Sequence, residues 1–274
     1  MASIAELKAI AKQIRKDIIT STTAAGSGHP TSSMSAVELT VPLYFGGYMR
    51  FDPKNPHWPG RDKFILSKGH AAPLLYALLA NAGFFDRSML PTLRKLGSPL
   101  EGHPNYRRLQ GVEASTGSLG QGLSIGVGAA IAAKLDKTGA RVFVLMGDGE
   151  QDEGQVWEAA MAAHKFQLDN LVGIVDQNGY QQTGATERVL DLKPILPRYQ
   201  AFGWDGVEIN GQDQQAVLNA YDQAKQAKGK PFAIVARTQK GYPIMDILHD
   251  PNHHGKPLTK EEADKAIAFV DAQA

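Results

Sequence analysis

Apolar side chains recur at Ile4, Leu7, Ile10, Ile14, Ile18 and Ile19. That spacing marks one face of a helix and predicts a helix over residues 3–24. Ser27-Gly28-His29-Pro30 breaks the period, and a second helix is expected over about 35–45. The stretch RFDPKNPHWPGRD reads as a proline-rich loop, followed by a short strand at 63–66. SKGHAAPLLYALLANAG predicts a helix with Gly83 at its end. Residues 97–116 look irregular, and 117–135 reads as a glycine- and alanine-rich helix. Short apolar runs at 141–146, 171–175, 206–209 and 232–236 predict strands, with helices between them at 156–166 and 214–228. Strands that alternate with helices predict an α/β fold: a mainly parallel sheet covered by helices on both faces. No repeat, low-complexity segment or linker interrupts the pattern, so residues 1–274 are expected to form one domain.

Composition narrows the function without naming it. Lys and Arg number 29 against 28 Asp and Glu, so bulk charge gives no case for nucleic acid or an anionic membrane. No apolar run approaches the roughly 20 residues needed to span a bilayer. The first 30 residues lack the continuous apolar core of a secretory signal. The absence of cysteine excludes disulfides, thiolate metal sites and thiol nucleophiles, and it fits a cytoplasmic location. The 28 glycines gather at 26–28, 117–128 and 147–154, where backbone can approach a ligand closely.

Two strand ends carry candidate chemistry. VFVLMGDGE and NLVGIVDQNGY each end a buried-type strand in a tight polar turn. Open parallel sheets bind ligands at the carboxyl ends of their strands. Asp148 and Asn178 lie 30 positions apart (178 − 148), about one strand–helix–strand unit, and offer two hard oxygen ligands. Magnesium or calcium accepts such a set when phosphate oxygens complete it. Gly147 and Gly149 would let backbone N–H groups approach a phosphate. Either turn alone is a common tripeptide; the pairing after two apolar strands makes the case.

GDG followed by an asparagine at this distance resembles the thiamine-diphosphate signature. The wider text resembles the transketolases: SGHP, LSKGH, EGHP, ASTGSLGQGLS, GDGE..EG..WEA and HHGKPL occur in that family's order. The likeness runs from about residue 5 to 260 and is strongest to animal-type members at TTAAGSGHPTS and NPHWPGRDKFILSKGHAAPLLYA. It implies the thiamine-diphosphate-binding fold that holds the diphosphate. It implies that Asp148, Asn178 and the carbonyl of Tyr180 hold Mg2+ or Ca2+, and that Gly149 offers backbone to a phosphate. The backbone around Gly117, Ser118 and Leu119 would face the cofactor rings.

The histidines follow the same logic. Four of the eight sit beside Gly or Pro in these motifs: His29, His70, His103 and His254. Cleaving a ketose C2–C3 bond requires the C3 hydroxyl to lose a proton and an acceptor to regain it, which imidazoles near pH 7 can manage. By resemblance, His29 and His254 handle that proton, His103 binds the donor's C1 hydroxyl, and His70 and His254 touch the diphosphate. Glu153 and Glu158 would lie near a two-fold interface, in an acidic chain between two cofactors. Lys68 and Lys240 would steady a phosphate, gate the cleft, or simply be exposed. His57, His164, His249 and His253 receive no role.

Full-length transketolases continue with a pyrimidine-binding domain, which supplies the glutamate for N1′ of the aminopyrimidine, and a C-terminal domain. Neither is recognisable in residues 1–274. The resemblance therefore implies a transketolase subunit that is active only with a second chain carrying the pyrimidine domain. The expected assembly is an α2β2 heterotetramer acting on sugar phosphates. The initiating Met and the helical tail favour a natural subunit over a truncated piece. Alternatives are a relative using another ketol donor, such as a sulfosugar, a deoxyxylulose-phosphate-type synthase, or a noncatalytic paralogue. SGHP and LSKGH disfavour the synthase, and the intact site residues disfavour the paralogue.

Overall fold

The computed structural model describes residues 2–244 and 255–273. Five parallel strands, β1 (Lys63–Leu66), β2 (Val142–Gly147), β3 (Leu171–Gln177), β4 (Asp205–Asn210) and β5 (Phe232–Arg237), form one sheet in the order β1-β2-β3-β5-β4. The expected parallel α/β architecture is present. Strand β1 matches its expected run, β2 is shifted one residue towards the carboxyl end, and β3, β4 and β5 extend theirs by one or two residues.

Alternation along the strands builds two separate cores. Phe64, Leu66, Phe143, Leu145, Val172, Ile174 and Ile234 face one side. There they meet α1 (Ile4–Ala25), α3 (Val37–Phe45), α4 (Ala72–Asn81), α9 (Gln214–Gln226) and α10 (Lys260–Ala272). Ile65, Val142, Val144, Met146, Val175 and Val235 face the other. That side is covered by α5 (Gln121–Leu135), α6 (Gly154–Lys165) and α8 (Ile195–Ala201). Burial on both faces explains why the strands read as continuous apolar runs rather than alternating ones.

The helix ends follow local chemistry. Ser3 and Glu6 form a capping box at the start of α1, and Gly26, at φ 60°, closes its end. SGHP does more than break α1: Pro30 is the first residue of a short buried helix, α2 (Pro30–Met34), with His29 as its N-cap. A 3-10 turn, Gly69–Ala71, precedes α4, so the expected long helix begins only at Ala72. Helix α5 starts four residues later than its composition suggests, because Gly117 (φ 148°) and Gly120 (φ 81°) hold left-handed backbone. Helix α8 is hidden in the sequence by Pro194 and Pro197, although proline near a helix start is tolerated because its nitrogen needs no partner there. A four-residue helix, α7 (Thr186–Val189), completes the set. Among the described residues no helix is long and apolar enough to cross a membrane.

The small residues of α5 are used unequally. A Cβ on Gly122 would lie 2.4 Å from the Cβ of Ser67 and 2.7 Å from its Cα, and one on Gly126 would lie 2.5 Å from Val144. A Cβ on Gly128 would meet nothing within 4 Å. Helix α5 thus sits on the β1–β2 edge at a distance only glycine permits. Gly122→Ala is expected to cost about 1–3 kcal/mol by overpacking. Gly128→Ala is expected to stabilise by about 0.5–1 kcal/mol through helix propensity. Urea unfolding of both variants checks the contrast, and equal midpoints would contradict the packing.

Candidate active site

The carboxyl ends of β1, β2 and β3 converge on a cleft of about 500 Å3. Its deepest element is an ion pair. Asp176, at the end of β3, is fully buried, and so is Lys68, just past β1. The Asp176 carboxylate accepts from Lys68, from Ser35 Oγ at 2.6 Å, from Thr238 and from Asn178 Nδ2 at 3.3 Å. Burial alone works against its charge, but the Lys68 ammonium and these donors outweigh it and hold Asp176 below the usual carboxylate range.

Above this pair the two predicted turns meet. Asp148 accepts from Gly149 N–H at 3.0 Å and from Gly179 N–H at 2.7 Å. Asn178 Oδ1 accepts from Tyr180 N–H at 3.1 Å, while its Nδ2 is committed to Asp176. Asp148, Asn178 and Tyr180 all line the cleft, as expected. Burial, then the nearby Asp176 charge, pushes the Asp148 carboxyl up to about 7. A cation would reverse that by favouring the ionised form. Among the described residues no three His, Cys, Asp or Glu gather into a metal cluster. The set here has one carboxylate, one amide and backbone oxygens, so it suits a hard cation whose remaining ligands are phosphate oxygens and water. These residues fit Mg2+ or Ca2+ carried with a diphosphate.

The glycines serve the protein's own packing here. A Cβ on Gly149 would lie 2.6 Å from Gln181 Cγ, so this glycine makes room for the loop after β3. Gly147 has open space beside it, a Cβ there coming no nearer than 3.9 Å to Lys68 Cδ. Gly117 lets the ring of His103 rest on the backbone, since a Cβ would approach its Cγ to 3.0 Å. Thr116 Oγ1 donates to Leu66 O at 2.7 Å and ties this turn to β1.

Three predicted histidines share the cleft: His29, His70 and His103. The rings of His29 and His70 meet edge to face, 5.3 Å between centroids. Burial, then Arg94, His103 and Lys240, lowers the His29 pKa to about 4. Burial and then Arg94 lower His103. Lys240 is lowered to about 8 by burial and then by Lys68. His254 lies outside the described residues, as do His249 and His253. The next residue, Gly255, is described, and a Cβ there would lie 3.5 Å from His29 Nε2.

Other expectations fall differently. Gly117 and Leu119 line the cleft, whereas Ser118 is exposed and does not. Glu153 is also exposed and away from the cleft lining; its Cβ lies where a Cβ on Gly120 would clash at 2.6 Å. Glu158 is exposed on α6. Sequence reasoning missed three residues. Asp176 is the first. Glu150 is buried and accepts from Ser67 Oγ, from Gly120 N–H at 2.9 Å and from Gly147 N–H at 3.1 Å, locking the turn before α5 to β1 and β2. Gln181 lines the mouth and donates to Asp152 at 2.6 Å. The one available signal was an acidic residue inside each apolar turn motif, in DGE and VDQN.

Removing Lys68 would strand the Asp176 charge. Lys68→Met is therefore expected to destabilise the chain by about 3–5 kcal/mol. Urea unfolding measures this, and a loss below about 1 kcal/mol would mean that the pair behaves like a surface ion pair.

Comparison with known proteins places this geometry. Residues 6–269 match the family described as transketolase, thiamine diphosphate binding domain. Transketolase-like protein 2 of Bos taurus is 45% identical over 268 residues, which cover 97% of this chain and 42% of that protein. The chain thus spans well under half the length of that relative. A 6-deoxy-6-sulfo-D-fructose transketolase subunit, SqwG, of Clostridium sp. strain MSTE9 is 40% identical over 268 residues, covering 98% of this chain and 97% of that subunit. The transketolase structure from Leishmania mexicana superposes with a TM-score of 0.91 at 31% identity, over 99% of this chain and 42% of that one. On its sequence, its sheet and its cleft, the chain belongs to the transketolase thiamine diphosphate binding domain family.

Proposed function

We propose that this chain is the diphosphate- and metal-binding subunit of a transketolase, transferring a two-carbon ketol unit from a ketose phosphate to an aldose phosphate. One observation carries the reading. The cleft brings Lys68, His29, His70 and His103 to one strand-end turn, with Lys240 over the ring of Tyr180, and burial, then neighbouring positive groups, lowers Lys240 to about 8 and His29 to about 4. A bound anion would favour the protonated form of such groups, and a diphosphate is the anion the family implies.

In this reading Asp148, Asn178 and the Tyr180 carbonyl hold Mg2+ or Ca2+. Thiamine diphosphate, when bound, supplies the nucleophilic carbon and the electron sink that let a ketose C2–C3 bond break. His29, neutral at pH 7, accepts the proton of the C3 hydroxyl and returns it to the acceptor, with His254 as its partner in that task. His103 orients the donor through its C1 hydroxyl. His70 and His254 steady the diphosphate, while Gly117, Ser118, Leu119 and Gly149 offer backbone to the cofactor, and Glu153 lies near the subunit axis.

The site needs a second chain. The SqwG relative is named a subunit, and this chain matches 97% of its length. A separate chain carrying the pyrimidine domain would complete the site, and pairing about a two-fold axis gives an α2β2 heterotetramer.

Asp148→Ala is expected to abolish metal-dependent thiamine diphosphate binding, since it removes the charged protein ligand. Calorimetry of the reconstituted pair with Mg2+ tests it, and unchanged affinity would remove the metal assignment. His103→Ala is expected to lower kcat and raise the donor KM while cofactor affinity stays nearly constant. The chain alone should show no ketol transfer between xylulose 5-phosphate and ribose 5-phosphate until the partner is added. Turnover by the lone chain would refute the two-subunit reading.

A further inference from the structure

Arg94 stands at the rim of the cleft in an unusual conformation. It follows the 3-10 turn Arg87–Thr92 and has φ 58°, a left-handed backbone that few residues other than glycine adopt. Its N–H donates to Leu100 O at 2.8 Å and closes the loop between them. This geometry sends the guanidinium back across that loop. Nη1 donates to Ser27 Oγ at 2.8 Å, and Nη2 donates to Gly102 O at 3.3 Å. The guanidinium lies flat on Gly102, where a Cβ would come within 3.1 Å of both Cζ and Nε. Ser27 stands two residues before His29, and Gly102 stands next to His103.

We propose that Arg94 is a positioning residue of this site, its forked guanidinium clamping the turn that carries His29 to the turn that carries His103. The proposal rests on the reading of these two histidines given above. Three features support a built clamp over an idle surface arginine: the left-handed backbone, two acceptors on separate turns, and a glycine slot that fits the planar group. A lysine has one ammonium and no plane, so it cannot fill the slot or reach both acceptors as a fork does.

The clamp has an electrostatic consequence. Its hydrogen bonds go to a hydroxyl and a carbonyl, so they do not cancel its charge. After burial, the Arg94 charge acts most strongly on His29, ahead of His103 and Lys240, and the same charge lowers His103. Among the described residues His70, edge-on to His29, is a further titratable ring beside that imidazole. Arg94, although exposed, thus adds to burial in favouring the neutral form of both rings, the form that accepts a proton. The sign follows: removing the charge raises both imidazole pKa values, and the acid limb of any rate that needs them neutral moves to higher pH.

The test needs no turnover. Histidine resonances of the full chain would be titrated by NMR in wild type, Arg94→Met and Arg94→Lys, with exposed His57 and His164 as internal controls. Hydrogen exchange would be followed across residues 27–33 and 99–105. Arg94→Met is expected to raise the pKa of both His29 and His103, leave the controls in place, and speed exchange in both turns. Arg94→Lys should keep both pKa values low yet speed exchange in both turns. Gly102→Ala, which pushes the guanidinium from its slot, should speed exchange as Arg94→Met does. In the reconstituted pair, Arg94→Met should lower kcat/KM by up to about 100-fold through misplacement, with its acid limb shifted upward. Titrations unmoved at either histidine in Arg94→Met, or exchange unchanged in either turn, would overturn the proposal. Absence of turnover in the wild-type pair would overturn the transketolase reading and leave the NMR and exchange results to decide on Arg94.

Discussion

The buried pair between Lys68 and Asp176 sets the terms for the site. It joins the end of β1 to the end of β3, and the same carboxylate takes Ser35 from the end of α2 and Thr238 from the end of β5. A lone charge so deep would be costly, so each partner requires the other. With Asn178 Nδ2 also bound to Asp176, the opposite edge of that amide, its oxygen, is left for the Asp148–Tyr180 side of the cleft. The orientation of a candidate metal ligand thus follows from a core ion pair. Glu150 repeats the device one layer out, tying the turn before α5 to the ends of β1 and β2.

Rigid strand ends and close-packed glycines then do the positioning. Gly122 and Gly126 bring α5 onto the β1–β2 edge, and Gly117 lets His103 settle on the turn before it. His103 thereby joins His29 and His70 in lining one cleft. Burial there disfavours the charged forms of His29, His103 and Lys240. An anion would reverse that preference, which links the architecture to a diphosphate cofactor.

The sequence made visible what is local. Apolar runs placed all five strands to within two residues, because a buried strand needs no partner to look apolar. Motifs placed Asp148, Asn178, Tyr180, His29, His70 and His103, and all six line one cleft. What stayed hidden is long-range. Asp176 meets Lys68 across 108 residues, Glu150 meets Ser67 across 83, and Arg94 meets Ser27 across 67. No local period records such pairings. The late start of α5 was hidden for a different reason: glycine composition suits a tight helix and a left-handed turn equally, and the backbone at Gly117 and Gly120 chose the turn. Ser118 and Glu153 show the limit of motif reading, since a residue inside a motif can point to solvent while its neighbours line the site.

The central claim is that this cleft is the diphosphate and metal half of a thiamine diphosphate site. A crystal structure of the chain assembled with its pyrimidine-domain partner, thiamine diphosphate and Mg2+ tests it most directly. The account predicts a magnesium ion held by the Asp148 and Asn178 side chains and the Tyr180 carbonyl, bridging the diphosphate, with His70 against its oxygens. A cofactor bound elsewhere, or a diphosphate in this cleft without a metal on Asp148, would contradict it.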